Sequence, residues 1–179
     1  MNKKHKKYYD RLKRLKRKQL YYFVVGFVDG EGCFSVSMTK QKYNYKSLEW
    51  KWILNPVFQV YQHEDNIEIL ELLRDYVFKT GRIHRKSSPY HVFTYSIENH
   101  RTLNEKIIPF FRKYRLATKD ENFEKFAEII NRIVNKEHLS INGFKQIVDI
   151  AFTMNAHGKQ RKYSKEYIFE TLPRQFKNS

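Results

Sequence analysis

The chain has 179 residues, with 35 Lys and Arg against 19 Asp and Glu, which gives a formal net charge of +16. The length fits a single domain with a core of its own, and a content of 41% hydrophobic and 16% aromatic residues excludes a disordered chain. The charge calls for a polyanionic partner, nucleic acid before a membrane surface, because basic residues run through the whole chain rather than along one amphipathic segment. A structural RNA binder, ribosomal or other, would carry the same charge. The single cysteine, Cys33, excludes an intrachain disulfide framework, and no Cys/His cluster has zinc-site spacing. A reducing intracellular compartment fits, whether an organelle (chloroplast or mitochondrion) or a bacterial or archaeal cytoplasm.

Residues 1–19 form a basic arm whose only acid is Asp10, with Tyr8, Tyr9, Leu12, Leu15 and Gln19 at near-helical spacing. Such an arm suits phosphate contact, which strengthens binding without reading sequence. The apolar run that follows, YFVVGFVDGEG, is too short to span a bilayer and lacks a small-residue cleavage pattern. Read as a helix, it puts Gly26 and Gly30 on one face and ends in the acids Asp29 and Glu31 beside the terminator Gly32. A face without side chains admits a close backbone neighbour. Carboxylates at a helix C-terminus oppose the macrodipole, and a divalent cation would resolve that conflict.

Cys33 to Gln41 alternates, with Phe34, Val36 and Met38 on one face and Ser35, Ser37, Thr39 and Gln41 on the other. Short polar side chains of this kind can reach base edges in a major groove. After a loop, KYNYKS, a second strand runs from about Glu49 to Tyr61, with Pro56 expected to mark an edge, bulge or kink. Beyond Pro56, Phe58, Val60 and Gln62 share one face and Gln59, Tyr61 and His63 the other. Asp65 and Glu68 make a capping-box start for a helix to about Phe78 with a core face of Ile69, Leu70, Leu72, Leu73, Tyr76 and Val77.

A second hairpin follows, strand 82–86, turn Ser87 to Tyr90 and strand 91–97, with Arg82, His84 and Lys86 on one face and Thr94 and Ser96 in the return strand. Helices complete the chain. One runs from Leu103 to Ile108, and Pro109 permits a new turn. Another follows a capping-box match at Thr118 to Glu121 and buries Phe123, Phe126, Ala127, Ile130, Ile133 and Val134. Two more lie at about 140–155 and 164–171, the last with Ser164 as N-cap. No repeat or linker divides residues 20–179. The order gives an α+β fold, αββαββα with additional C-terminal helices, whose antiparallel sheet leaves a polar, basic face uncovered.

The stretch VVGFVDGEG, residues 24–32, resembles the motif that names the LAGLIDADG homing endonucleases, and the αββαββα order over about 20–135 is that family's fold. The resemblance implies a DNA-binding saddle and hydrolysis of both strands of a long duplex site, leaving 3′ overhangs and promoting intron mobility. One motif copy implies a homodimer with a near-palindromic target, whose seam would include Val25, Gly26, Asp29 and Gly30. By the same resemblance Glu31 and the Gly30 carbonyl bind Mg2+, with Mn2+ or Ca2+ able to substitute for binding. Asp29 matches the motif's first acid and is read as structural. Gln62 positions the attacking water, and Lys119 stabilises the scissile phosphate or tunes the water. Ser35, Ser37, Thr39, Gln41, Gln59, Arg82, His84, Lys86, Thr94 and Ser96 become the residues facing double-stranded DNA. The alternative is an RNA-binding intron maturase on the same fold, with intron RNA as partner. The intact Glu31 argues against it, since a pure binder has no need of a carboxylate aimed at phosphates.

Overall fold

The computed structural model describes residues 9–42, 50–86, 91–155 and 161–176; the start of the basic arm with Tyr8, the loop KYNYKS beyond Lys42 with Glu49, and the turn Ser87 to Tyr90 lie outside them. After a short helical stretch at 9–13, the elements are helix α1 (Arg17–Glu31), strands β1 (Gly32–Lys42) and β2 (Trp50–His63), and helix α2, which passes from Ile67–Glu71 into a wider π-helical turn, Leu72–Val77. Strands β3 (Arg82–Arg85) and β4 (Val92–Ile97) follow, then helix α3, continuous through His100–Thr102, Leu103–Ile107 and Ile108–Lys113. Helices α4 (Asp120–Val134), α5 (Ile141–Thr153), α6 (Lys165–Thr171) and α7 (Pro173–Phe176) complete the described residues. The four strands form one sheet in the order β1-β2-β4-β3, with β4 antiparallel to both of its neighbours. The αββαββα order and the α+β class expected from the sequence are therefore present. Among the described residues no helix is long and apolar enough to cross a membrane.

The chain clusters into two compact units, one built from the chain up to Phe34 with Val57–Glu121, the other from Ser35–Pro56 with the chain from Asn122 on. In the first unit the register sets Phe58, Val60 and Gln62 opposite Ile97, Tyr95 and Phe93, and puts Gln59 and Tyr61 on the other face opposite Ser96 and Thr94. Phe58 is fully buried and touches Phe34, Phe78, Tyr95 and Phe111, with ring centroids 5.2 to 6.3 Å apart. Offset and edge contacts at these separations suit the ring quadrupoles. Strands, the end of α2 and α3 thus meet in one aromatic cluster, and the covered face of these strands is the even-numbered one in β2.

Helices α2 and α3 differ from expectation in their phase. In α2 the N–H of Phe78 bonds the carbonyl of Leu73, five residues back, and the wider turn leaves Tyr76 47% exposed while Leu70, Leu72 and Leu73 stay buried. His63, whose ring accepts from the Asp65 N–H, caps the start of this region in place of the expected Asp65 box. Helix α3 begins earlier than expected, capped by Asn99, and runs through Pro109 without a break. Pro109 opens the α-helical turn after the π-helical one, where the ladder resets and its missing N–H costs little.

In the second unit, Val36 and Met38 of β1 and Trp52 and Leu54 of β2 are buried, as are Phe123, Phe126, Ala127, Ile129, Ile130 and Ile133 of α4 and Phe144, Ile147, Val148 and Ala151 of α5. Val134, expected inside, is 43% exposed, and Ile129 takes its place on the buried face. Ser140 and Ser164 cap α5 and α6 through the N–H groups of Gly143 and Tyr167. The last helices tie down β2: the Trp52 N–H donates to Gln175 Oε1 at 2.6 Å and its indole N–H to Thr171 Oγ1 at 3.1 Å. By strand parity the Pro56 nitrogen faces the same edge as the Trp52 N–H, and the β4 ladder starts only at Phe58. Pro56 therefore lies within an uninterrupted strand with no ladder bond lost.

Gly81, at the entry to β3, has φ +91, and a methyl group there would lie 2.5 Å from Tyr95 Cε2 and 2.9 Å from the Ser96 carbonyl oxygen. Gly81→Ala adds a strained backbone to a steric clash, so it is expected to lower stability by about 2 kcal/mol or more. Urea denaturation midpoints of the two proteins check this.

Candidate active site and nucleic-acid interface

The first unit brings the acidic end of α1 against the residues that lead into α4. Helix α1 ends because Gly32 turns into extended backbone, its N–H bonding the Val28 carbonyl. A Cβ at Gly32 would lie 2.6 Å from that carbonyl oxygen, so no larger residue fits without displacement. Asp29 does not point to the bare face. Its carboxylate accepts the backbone N–H groups of Thr118 and Lys119 at 3.0 Å, doing the work expected of the Thr118 capping box. Partial burial alone would raise the Asp29 pKa. The hydrogen bonds from Thr118 and Lys119, with the Lys119 charge, outweigh burial and hold the carboxyl below its ordinary value.

Lys119 returns the contact. Its ammonium donates to the Gly30 carbonyl at 2.8 Å, to the Asp29 carbonyl at close range, and lies 3.5 Å from the Val28 carbonyl. Those of Asp29 and Gly30 are among the carbonyls a helix leaves unpaired at its negative end, while that of Val28 also accepts the Gly32 N–H. Glu31, one residue on, is exposed, and among the described residues it has no hydrogen-bond or ion-pair partner. The described residues contain no group of three His, Cys, Asp or Glu side chains able to hold a metal ion.

Of the expected seam residues, Gly26 and Gly30 are exposed, and a methyl group at either would meet no atom of the described residues beyond its own helix backbone within 4 Å. Val25, 8% exposed, and Asp29 belong instead to the inward side of α1, a correction that follows from the helical phase. Tyr22, 57% exposed, extends the open face.

The polar face of the first unit carries Gln59 and Tyr61 of β2, Thr94 and Ser96 of β4 and Arg82 and His84 of β3 in facing rows. Tyr61 donates its hydroxyl to Gln59 Oε1 at 2.7 Å, and burial together with the nearby Cys33 thiol raises its pKa. Gln62 falls on the same face as Phe58 and Val60, as strand parity leads one to expect, and its Oε1 accepts the His63 N–H at 2.8 Å. Thr94 and Ser96 are a second correction, being 2% and 1% exposed. They lie in the strand between two others, under longer neighbours; Arg82 reaches Ser96 Oγ at 3.4 Å and Glu98 at 2.6 Å. Arg82, His84 and Lys86 are exposed, Lys86 with its ammonium 5.2 Å from the centre of the Tyr61 ring. Tyr61, absent from the expected site, was legible from strand parity with Gln59.

In the second unit, Ser37, Thr39 and Gln41 are exposed and Ser35 is half-buried. Asn55 of β2, not foreseen as a site residue, donates to Thr39 Oγ1 at 2.9 Å and stiffens that row.

Comparison with known proteins gives a consistent set of relatives. A family model described as LAGLIDADG endonuclease matches residues 24–130. DNA endonuclease I-CeuI of Chlamydomonas moewusii is 31% identical over 122 residues, covering 64% of this chain and 54% of that protein. Probable intron-encoded endonuclease 3 of Neurospora crassa is 32% identical over 130 residues, covering 73% of this chain and 24% of that protein. The chain thus spans about half or less of the length of these curated relatives. An archaeal intron-encoded homing endonuclease, I-Vdi141I, solved in complex with DNA, superposes with a TM-score of 0.78 at 30% identity, covering 92% of this chain and 100% of that one.

The depressed Asp29 pKa sets a pH window. A carboxylate whose folded value is lowered stabilises the fold above its unfolded value, about 3.9, and that contribution fades as pH falls through the lower folded value. Asp29→Asn is expected to cost about 1 kcal/mol at pH 7, with the gap from the wild type closing below about pH 4. Urea midpoints for both proteins at pH 7, 5 and 3 read this out.

Proposed function

The chain belongs to the LAGLIDADG endonuclease family, and from that premise we propose that it is a divalent-metal-dependent DNA endonuclease that cuts both strands of a long, near-palindromic duplex as a homodimer. One observation carries the reading: Glu31, exposed and without a side-chain partner among the described residues, stands at the end of α1 beside carbonyls that already hold an ammonium group. That ammonium is a stand-in for a cation, and it marks a place whose potential favours positive charge. The Glu31 carboxylate and the Gly30 carbonyl are hard oxygen donors, suited to Mg2+ with a DNA phosphate completing the shell; Mn2+ or Ca2+ suits the same donors for binding. Such an ion, when bound, polarises the phosphate and lowers the pKa of the attacking water.

The chain's own residues supply the rest. Gln62 is proposed to position the attacking water, and Gln59, its carbonyl oxygen engaged by Tyr61 and its amide N–H groups without a partner among the described residues, can orient water or phosphate on the polar face. Arg82, His84 and Lys86 in the first unit and Ser37, Thr39 and Gln41 in the second give exposed donors and acceptors for base edges and phosphates, with Ser35 partly available. Thr94 and Ser96 support these rows from beneath. The net charge of +16 supplies the sequence-independent attraction to DNA.

The open face of α1 supports the homodimer. Glycine in a helix interior costs roughly 1 kcal/mol relative to alanine, and none of the described residues needs the space at Gly26 or Gly30. A second copy of α1, packed backbone to backbone, uses that space and brings two Glu31 carboxylates to one DNA site. Cleavage across the minor groove with 3′ overhangs, and a role in moving the intron that encodes the chain, complete the proposal.

Two outcomes test it. Glu31→Gln is expected to retain binding to an intron-free target duplex while cleavage in Mg2+ falls by at least 100-fold, as measured by gel shift and by cutting assays with and without EDTA. Gly26→Leu is expected to raise helix propensity by roughly 0.8 kcal/mol yet convert a dimer at micromolar concentration to a monomer. Sedimentation velocity and thermal melts of the two proteins report both effects.

A further inference from the structure

We propose that Lys119 is a tethered competitor of the divalent ion: its ammonium holds the carbonyl end of α1 when no metal is present and must leave the Gly30 carbonyl for a metal to bind there. The inference rests on the metal site proposed above, and it assigns this lysine a role distinct from touching the scissile phosphate. An ammonium has three donors, and three successive carbonyls, of Val28, Asp29 and Gly30, stand around the one on Lys119. The backbone of the same residue is fixed from the other side, because its N–H and that of Thr118 are held by the Asp29 carboxylate. The side chain is thus delivered to the helix end by the helix's own acid.

A second cation at the Gly30 carbonyl would stand within a few ångströms of the ammonium, and like charges at that separation repel strongly in a partly desolvated site. Ion and ammonium therefore exclude one another at this oxygen. Bringing the metal in breaks the Lys119 contacts and sends the ammonium outward, where a DNA phosphate is a ready partner. The device keeps the acidic end of α1 neutralised and ordered before metal arrives, and it weakens metal binding by the protein alone.

The test is Mn2+ binding by the full chain without DNA, followed by the electron paramagnetic resonance signal of free Mn2+ at fixed ionic strength. Four proteins are compared: wild type, Lys119→Met, Lys119→Gln and Glu31→Gln. Lys119→Gln keeps two N–H donors for the carbonyls without the charge, so it preserves the fold should the methionine variant unfold. The expected result is Mn2+ affinity about tenfold higher or more in the neutral variants than in the wild type, and loss of that binding with Glu31→Gln. Mn2+ should also raise the melting temperature of Lys119→Gln more than that of the wild type. Glu31-dependent binding with equal or weaker affinity in the neutral variants overturns the competitor role and leaves the metal site standing. Binding that ignores Glu31 in every protein overturns the metal site itself, and the competitor role with it.

Discussion

The site depends on a reciprocal clamp between the end of α1 and the residues that enter α4. Asp29 gives its carboxylate to two N–H groups some 89 and 90 residues away, and Lys119 gives its ammonium back to three carbonyls of α1. Each half solves the other's electrostatic problem. A helix start has unpaired donors and wants an anion, while a helix end has unpaired acceptors and wants a cation. The acid consumed in this exchange is the first of the pair in the motif, which leaves Glu31 as the one with its charge uncommitted.

What the clamp positions, the aromatic cluster supports. Phe34, the second residue past Gly32 in β1, is packed on Phe58 and Phe111, so the step from α1 into the sheet is held on its covered side. Strand alternation then fixes the other side: Cys33 and Tyr61 are turned toward the polar face because Phe34, Phe58 and Val60 are turned away from it. The chemistry of the face thus follows from burial on its reverse.

This division explains what could be read from the sequence. The opening helix, the alternation in β1, the face of Gln59 and Tyr61 and the serine cap at Ser164 are local patterns, and each is present. Strand parity grouped Gln62 with Phe58 and Val60, and the register places it there, while its role at the site rests on the family resemblance. Thr94 and Ser96 lie on the polar face as expected, yet parity gives a direction and not an exposure; a strand flanked on both sides has its short side chains roofed by long ones. Tyr76 fails for a different reason. A π-helical turn rotates every later residue, and no local signal in LLRDYV announces it. The partners of Asp29 are beyond local reading altogether, because tertiary structure brings them together.

The ties from Trp52 to Thr171 and Gln175 have a further consequence for how the protein is made. They join residues 119 and 123 positions apart, so they belong to the slow, non-local class of contacts. On a ribosome the first half of β2 emerges long before the helices that satisfy its edge N–H and its indole. Synthesis supplies those partners only 119 and 123 residues later, so this half of the strand stays incomplete until they have emerged. The exposed row that includes Thr39, bound through Asn55 to the same strand, therefore matures only after those later helices are made.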